Sequence, residues 1–223
     1  MMQKPKKPAG IFLDWDGTLV DSFQFLLKAH NHVREILGRP PMPEGEFKRY
    51  FGMPRELLYR ELYGKNGMDA KKHFEEFVTK HHMTYLNPLP GADDLVRTIV
   101  KLGIPSGVIS NKKGVFVRNE IDHFGWTPLF SAIVGAGEAP QDKPAGDPLL
   151  LGISLAGVIA QPADIWYVGD SETDAICAEN TGASLILIDH GDNLEGWARR
   201  FKPLLVVKNC GELTGLLLQW FQN

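Results

Sequence analysis

The sequence predicts an α/β protein: a doubly wound, Rossmann-like parallel sheet with an all-helical domain inserted after its first strand. Three observations predict it. From about residue 90 onward, short apolar runs alternate with helix-patterned stretches, as parallel strands and their crossovers do. Before that, over roughly 65 residues, the apolar spacing is helical throughout and no convincing strand interrupts it. Ahead of the helical block stands one apolar run, Ile11-Phe12-Leu13, which ends in Asp14-Trp15-Asp16-Gly17. The expected division is a core of 1–22 and 90–223, with a helical insert of 23–89.

The elements follow in order. The run at 11–13 reads as a buried strand broken by Gly17-Thr18. Helical spacing runs over 23–37 and stops at Gly38 with Pro40-Pro41. The segments 44–51, 54–63 and 69–86 also read as helices, punctuated by Gly52, Gly64 and Gly67. The pattern switches at Pro88-Leu89-Pro90-Gly91. Helices are then expected at 92–102, 113–124, 149–156, 174–181 and 212–220. Strands are expected at 104–109, 132–134, 165–168, 184–188 and 204–207. Crossovers of this kind place the strand carboxyl ends along one edge, where ligands bind.

Composition excludes several classes. The chain has 223 residues, 43% hydrophobic and 23% charged, with a net charge of −3 from 24 basic and 27 acidic side chains. That balance argues against a nucleic-acid partner or an anionic membrane surface. No apolar run is long enough to span a bilayer, and the basic start, broken by Pro5 and Pro8, is not a signal peptide. Cys177 and Cys210 form neither a disulfide framework nor a metal motif, so a reducing, cytoplasmic setting is expected. The histidine pairs His30/His32 and His81/His82 cannot share a helix face and read as solvated. Trp126, Trp197 and Trp220 read as packing residues.

The chemistry lies at the strand ends. Asp14 and Asp16 alternate back to the same side of an extended chain. Two such carboxylates are tolerable together if a cation lies between them or one is protonated. Both conditions suit phosphoryl transfer by a carboxylate nucleophile with a second carboxyl to move protons. The next core strand ends in Ser110-Asn111, donors for a phosphoryl oxygen. The string Gln141-Asp142-Lys143-Pro144-Ala145-Gly146-Asp147-Pro148 offers a lysine that could neutralise charge. Gly169-Asp170-Ser171-Glu172-Thr173-Asp174 supplies two more acids, Asp174 placed to cap a helix. Each piece alone reads as an ordinary turn, cap or solvated loop; four in this order at successive strand ends do not.

Asp14-x-Asp-Gly-Thr-Leu-Val-Asp-Ser resembles the first signature of the haloacid dehalogenase superfamily, in its phosphatase branch. Ser110-Asn111, Lys143-Pro144-Ala-x-Asp-Pro and Gly-Asp170-Ser-x-x-Asp174 are similar to the second, third and fourth. The resemblance implies a magnesium-dependent phosphatase of the phosphoglycolate phosphatase-like group. It implies Asp14 as nucleophile and Asp16 as proton donor and then base, with Ser110 and Lys143 completing the catalytic set. Magnesium ligands would be Asp14, Asp170 and the Asp16 backbone carbonyl, with Asp174 supporting them from behind. Thr18 and Asn111 would bind substrate. The insert would be a cap that closes over the site, and Gly52-Met53-Pro54-Arg55 resembles its specificity loop, which makes Arg55 a candidate contact for the substrate's far end. Relatives often carry Pro or His where Gly146 stands, so a looser loop is expected there.

The expected substrate is a small phosphorylated metabolite, phosphoglycolate-like or a sugar phosphate, handled by a monomer or homodimer. Dehalogenases and phosphonatases of the superfamily lack the second aspartate, and Asp16 is present. A phosphomutase of the beta-phosphoglucomutase type is the nearest alternative. Its cap helix carries a histidine where Leu26 falls here, with His30 one turn later. From another class, an inactive phosphate-ester binder or a phospho-acceptor signalling domain is weighed against the complete set Asp14, Asp16, Lys143 and Asp170. Receiver domains also lack a helical insert.

Overall fold

The computed structural model describes residues 4–51, 53, 55–190 and 194–222, with backbone only for Leu194 and Glu195. The chain divides into two compact units, 1–20 with 88–223, and 21–87.

The first unit is built on a six-stranded parallel sheet. Its strands are β1 (Gly10–Leu13), β4 (Ser106–Lys113), β5 (Ala132–Ala136), β6 (Ile165–Gly169), β7 (Ser184–Ile188) and β8 (Leu205–Val207). The order is β5-β4-β1-β6-β7-β8. The chain winds outward from β1 to β5 and then returns to the other side of β1, which makes β1/β6 a topological switch point. Leu13 lies opposite Val108 on one side and Val168 on the other. Ile11, Phe12 and Leu13 are fully buried, as a strand covered on both faces requires. Phe12 and Tyr167 pack on one face with Leu149 of α7 (Asp147–Leu155) and with Ala175, Cys177 and Ala178 of α8 (Glu172–Thr181). Elsewhere in this unit α5 (Ala92–Lys101) packs against α10 (Cys210–Phe221). Trp126 and Trp220 are buried, and Trp197 packs on the Phe12 cluster. A separate two-stranded ribbon pairs β2 (Val20–Asp21) with β3 (Asn87–Pro88).

The second unit holds α1 (Phe23–Ile36), α2 (Glu44–Phe47), α3 (Arg55–Tyr63) and α4 (Gly67–Tyr85). Its core is aromatic, with Phe47, Tyr59, Tyr63, Phe74 and Phe23 around Leu27 and Val33. Among the described residues no helix is long and apolar enough to cross a membrane.

Several expectations shift. The strand expected at 104–109 begins at Ser106 and runs on to Lys113, with a register irregularity between Ile109 and Lys113. Its start moves because the Ile104 amide closes the preceding helix on Ile99, 3.2 Å away. The helix expected at 44–51 is regular only to Phe47; beyond it, three-residue bonds such as Tyr50 N to Phe47 O (2.8 Å) tighten the backbone. α9 (Leu194–Phe201) was not expected, nor were the two-residue strands β2 and β3. Gly52 and Pro54 of the expected specificity loop lie outside the described residues.

The histidine reading is corrected in part. His30 and His82 are buried rather than solvated. The His30 ring sits 4.6 Å from Phe74 and 5.3 Å from Phe47, centroid to centroid, with Nδ1 2.8 Å from the Tyr63 hydroxyl. Burial, helped by the charge of Arg34, pushes its pKa from 6.5 down to about 3. The folded value lies below the unfolded one, so protons favour the unfolded chain. The stabilisation is complete above the unfolded pKa and is lost as pH falls from there toward the folded pKa. At about pH 5 the loss is roughly 2 kcal/mol. Urea unfolding near neutrality and at about pH 5 should show the wild type losing about that much more than His30→Gln; equal losses would contradict a neutral buried imidazole.

Candidate active site

The carboxyl ends of β1, β4 and β6 and the loop between β5 and α7 supply the site. The Asp14 amide donates to Val168 O at 2.8 Å, which fixes the start of the acidic turn against β6. Gly17 then turns the chain with φ +86, and a Cβ there would lie 2.3 Å from Asp170 Oδ2. Glycine is required both by the backbone and by the approach of that carboxylate.

Lys143 is the hub. Its Nζ donates to Asp14 Oδ1 at 2.6 Å, to Asp174 Oδ1 at 2.7 Å and to the Tyr167 hydroxyl at 3.1 Å. The lysine is 3% exposed. Its loop is held from outside by Asn111 Nδ2 on Lys143 O and by Asn180 Nδ2 on Pro144 O, both 2.9 Å. The expected looseness at Gly146 has a counterweight: a Cβ there would stand 2.7 Å from Thr181 Cγ2, so the bare backbone lets the loop seat against α8. Asp142 does not compete for Lys143; it accepts from the Gly137 amide at 2.7 Å.

Asp174 is satisfied on both oxygens. Oδ1 accepts from Lys143 and, at 3.0 Å, from Tyr167. Oδ2 accepts from the Ser171 hydroxyl at 2.6 Å and the Ser171 amide at 3.1 Å, which completes a capping box at the start of α8. Asp170 Oδ1 accepts from the Thr18 hydroxyl at 3.1 Å. Nearby, His190 Nε2 lies 2.6 Å from Gly17 O and 3.9 Å from Asp170 Oδ2.

Asp14, Asp170 and Asp174 each offer a carboxylate oxygen within 4.8 Å of the others. Burial first, then the Asp174 charge, pushes the Asp14 carboxyl up to about 7 against the opposing pull of Lys143. Asp170 is held well above the usual carboxylate range by burial and by Asp14 and Asp174. Burial works against a charged Lys143, but Asp14 and Asp174 outweigh it and hold the ammonium above the usual lysine range. Three carboxylates thus stand around one lysine, which meets Asp14 and Asp174 directly but not Asp170. Among the described residues no hydrogen bond occupies Asp14 Oδ2 or Asp170 Oδ2. Asn111 Oδ1 is buried with no partner. A hard divalent cation with oxygen ligands fits this donor set, and magnesium is the ordinary choice for it.

The sequence-predicted residues therefore fall into groups. Asp14, Lys143, Asp170 and Asp174 come together, with Thr18 spent on Asp170. Ser110 is buried within β4, at its register irregularity, where its hydroxyl accepts from the Lys112 amide at 3.0 Å and keeps its own proton to donate. The Asp16 carboxylate stands apart from that acid cluster: its Oδ1 accepts from Lys112 Nζ at 2.6 Å. Arg55 lies in the helical unit, where Nη2 donates to Glu75 Oε1 at 2.8 Å. Sequence reasoning missed Tyr167, Lys112, Glu120 and His190. Tyr167 was legible as the residue two before Gly169 on one strand face.

Comparison with known proteins matches residues 11–188 to the model of the haloacid dehalogenase-like hydrolases. Phosphoglycolate phosphatase 1 of Pseudomonas aeruginosa is 29% identical, over 92% of this chain and 78% of its own. Phosphoglycolate phosphatase of Chromobacterium violaceum is 30% identical, over 81% and 85%. The solved structure of a haloacid dehalogenase-like family hydrolase from Streptococcus pneumoniae superposes with a TM-score of 0.84 at 19% identity, covering 95% of this chain and 99% of that one.

Proposed function

The chain belongs to the haloacid dehalogenase-like hydrolase family as a phosphatase of the phosphoglycolate phosphatase-like group, and from that premise we propose that it is a magnesium-dependent phosphatase of small phosphate monoesters working through an aspartyl-phosphate. The observation that carries this reading is the charge imbalance of the cluster. With all three ionised, Asp14, Asp170 and Asp174 carry two more negative charges than Lys143 offsets, the deficit a divalent cation makes good.

Asp14 and Asp170 would hold the ion through their side chains and Asp16 through its backbone carbonyl, with Asp174 orienting Lys143. The ion would offset charge on the phosphoryl oxygens and on the attacking carboxylate. One carboxylate oxygen of Asp14 attacks phosphorus, and the ester P–O bond breaks as Asp16 gives its proton to the leaving oxygen. Water then attacks the acyl phosphate while Asp16 takes its proton, and inorganic phosphate leaves. Lys143 neutralises Asp14 and the transferring group. The Ser110 hydroxyl and Asn111 are proposed to take phosphoryl oxygens, and Thr18 to act through Asp170. Most of the acceleration comes from such fixed charges and donors.

The preferred substrate class is phosphoglycolate-like or a sugar phosphate. A panel of such esters, assayed with magnesium and with EDTA, tests the proposal. Phosphate release in the presence of magnesium and its loss with chelator are expected; a sample that leaves every ester untouched with magnesium present would contradict it. Arg55 is proposed to meet the substrate's far end, with Glu75 holding its guanidinium. On the substrate that emerges, Arg55→Ala should raise KM about tenfold or more, the scale of one lost charge-assisted bond. An unchanged KM would remove Arg55 from recognition.

A further inference from the structure

Asp16 is held by a second, separate ion pair that the reaction scheme leaves without a role. Lys112 Nζ lies 2.6 Å from Asp16 Oδ1 and 2.8 Å from Glu120 Oε2. The lysine side chain is 8% exposed and Glu120, on α6 (Gly114–His123), is fully buried. Trp15 Nε1 donates to the same Glu120 oxygen at 2.6 Å, and the Trp15 ring is fixed edge-on against Trp126, centroids 5.9 Å apart. The contacts form a closed chain: Trp15 to Glu120, Glu120 to Lys112, Lys112 to Asp16, and Asp16 back to Trp15 through the backbone. The β4 register irregularity lies on the stretch that carries Lys112; bulges of this kind re-aim side chains next to active sites.

Burying a lysine and a glutamate is a poor way to stabilise a core, since apolar residues of similar volume do as well or better. What the pair supplies is geometry. One Asp16 oxygen is pinned by Lys112, and among the described residues no hydrogen bond occupies the other. We propose that Lys112 and Glu120 are positioning residues that hold the Asp16 carboxyl in the orientation needed to protonate the leaving oxygen. The proposal rests on the phosphatase reading and on the role given there to Asp16.

The test uses leaving-group dependence, which general damage to the fold does not change. A proton donor matters most for a basic alkoxide and little for nitrophenolate. The variants are Lys112→Met/Glu120→Gln, which removes both buried charges together, and Glu120→Gln, which keeps its volume and leaves Lys112 on Asp16. Values of kcat/KM, covering the steps up to loss of the alcohol, are measured across aryl and alkyl phosphates beside wild type and Asp16→Asn. The double variant should lose on the order of 100-fold on alkyl phosphates and less than about fivefold on p-nitrophenyl phosphate, with a steepened slope like that of Asp16→Asn. Glu120→Gln should steepen it less. A wild-type slope in every folded variant, beside a steep Asp16→Asn, overturns the positioning role alone. A wild-type slope in Asp16→Asn, or no wild-type turnover at all, overturns the underlying reading and the proposal with it.

Discussion

Replacing Asp14 by asparagine will stop turnover while leaving the fold standing. The amide keeps the volume of the carboxyl and can still accept from Lys143 with its remaining oxygen. It removes the negative charge from the group proposed to attack phosphorus. The loss should be on the order of 10⁴-fold or more in kcat, the scale seen when an attacking group is deleted from an otherwise intact site. Stability should not fall, because burial already pushes this carboxyl up to about 7 and the substitution relieves its repulsion with Asp174 and Asp170. Steady-state assays beside thermal unfolding check both halves. Substantial activity in Asp14→Asn would end the nucleophile assignment.

Lys143→Met should damage both stability and catalysis. The methionine fills the space of the stem but leaves Asp14 and Asp174 buried without the ammonium that meets both, at 2.6 and 2.7 Å. Breaking a buried pair from one side costs roughly 3–5 kcal/mol. For a chain of this size that corresponds to roughly 10 °C in the melting of the unit that holds the site. The loss should be largest with EDTA and partly restored by magnesium, since a bound cation stabilises the folded state by mass action, about 2.7 kcal/mol at a hundredfold excess over its dissociation constant. The rate should fall at least about 100-fold, as when one charge-stabilising donor is removed. Unfolding followed with EDTA and with magnesium checks this prediction. A variant as stable as wild type under both conditions would show that Lys143 does not neutralise the cluster.

Much of this was readable from the chain because the functional side chains sit where local pattern and chemistry coincide. Asp14, Ser110 and Asp170 each follow an apolar strand, and a parallel sheet brings such ends to one edge whatever the intervening sequence. Asp174 was legible as a cap, and its capping geometry is what turns its other oxygen toward Lys143. Lys112 and Glu120 were not legible for a reason of the same kind. A lysine before an amphipathic helix and a glutamate inside it look like solvated residues, and only the β4 register irregularity and the full burial of Glu120 distinguish them. His30 was misread because spacing shows which residues share a face, not which face an aromatic core will cover. Asp14 and Asp16 are adjacent in pattern, but folding pairs their carboxylates with different lysines, Lys143 shared with Asp174 and Lys112 shared with Glu120.

The central claim is that Asp14 carries the phosphoryl group covalently between two steps. Acid quenching during turnover of an ester the enzyme hydrolyses, followed by borohydride reduction and peptide mapping, tests it most directly. The account predicts reduction of the acyl phosphate to homoserine at position 14 and at no other acidic residue. Sustained hydrolysis with position 14 recovered as unmodified aspartate, or with the mark on Asp16 or Asp170, would contradict it.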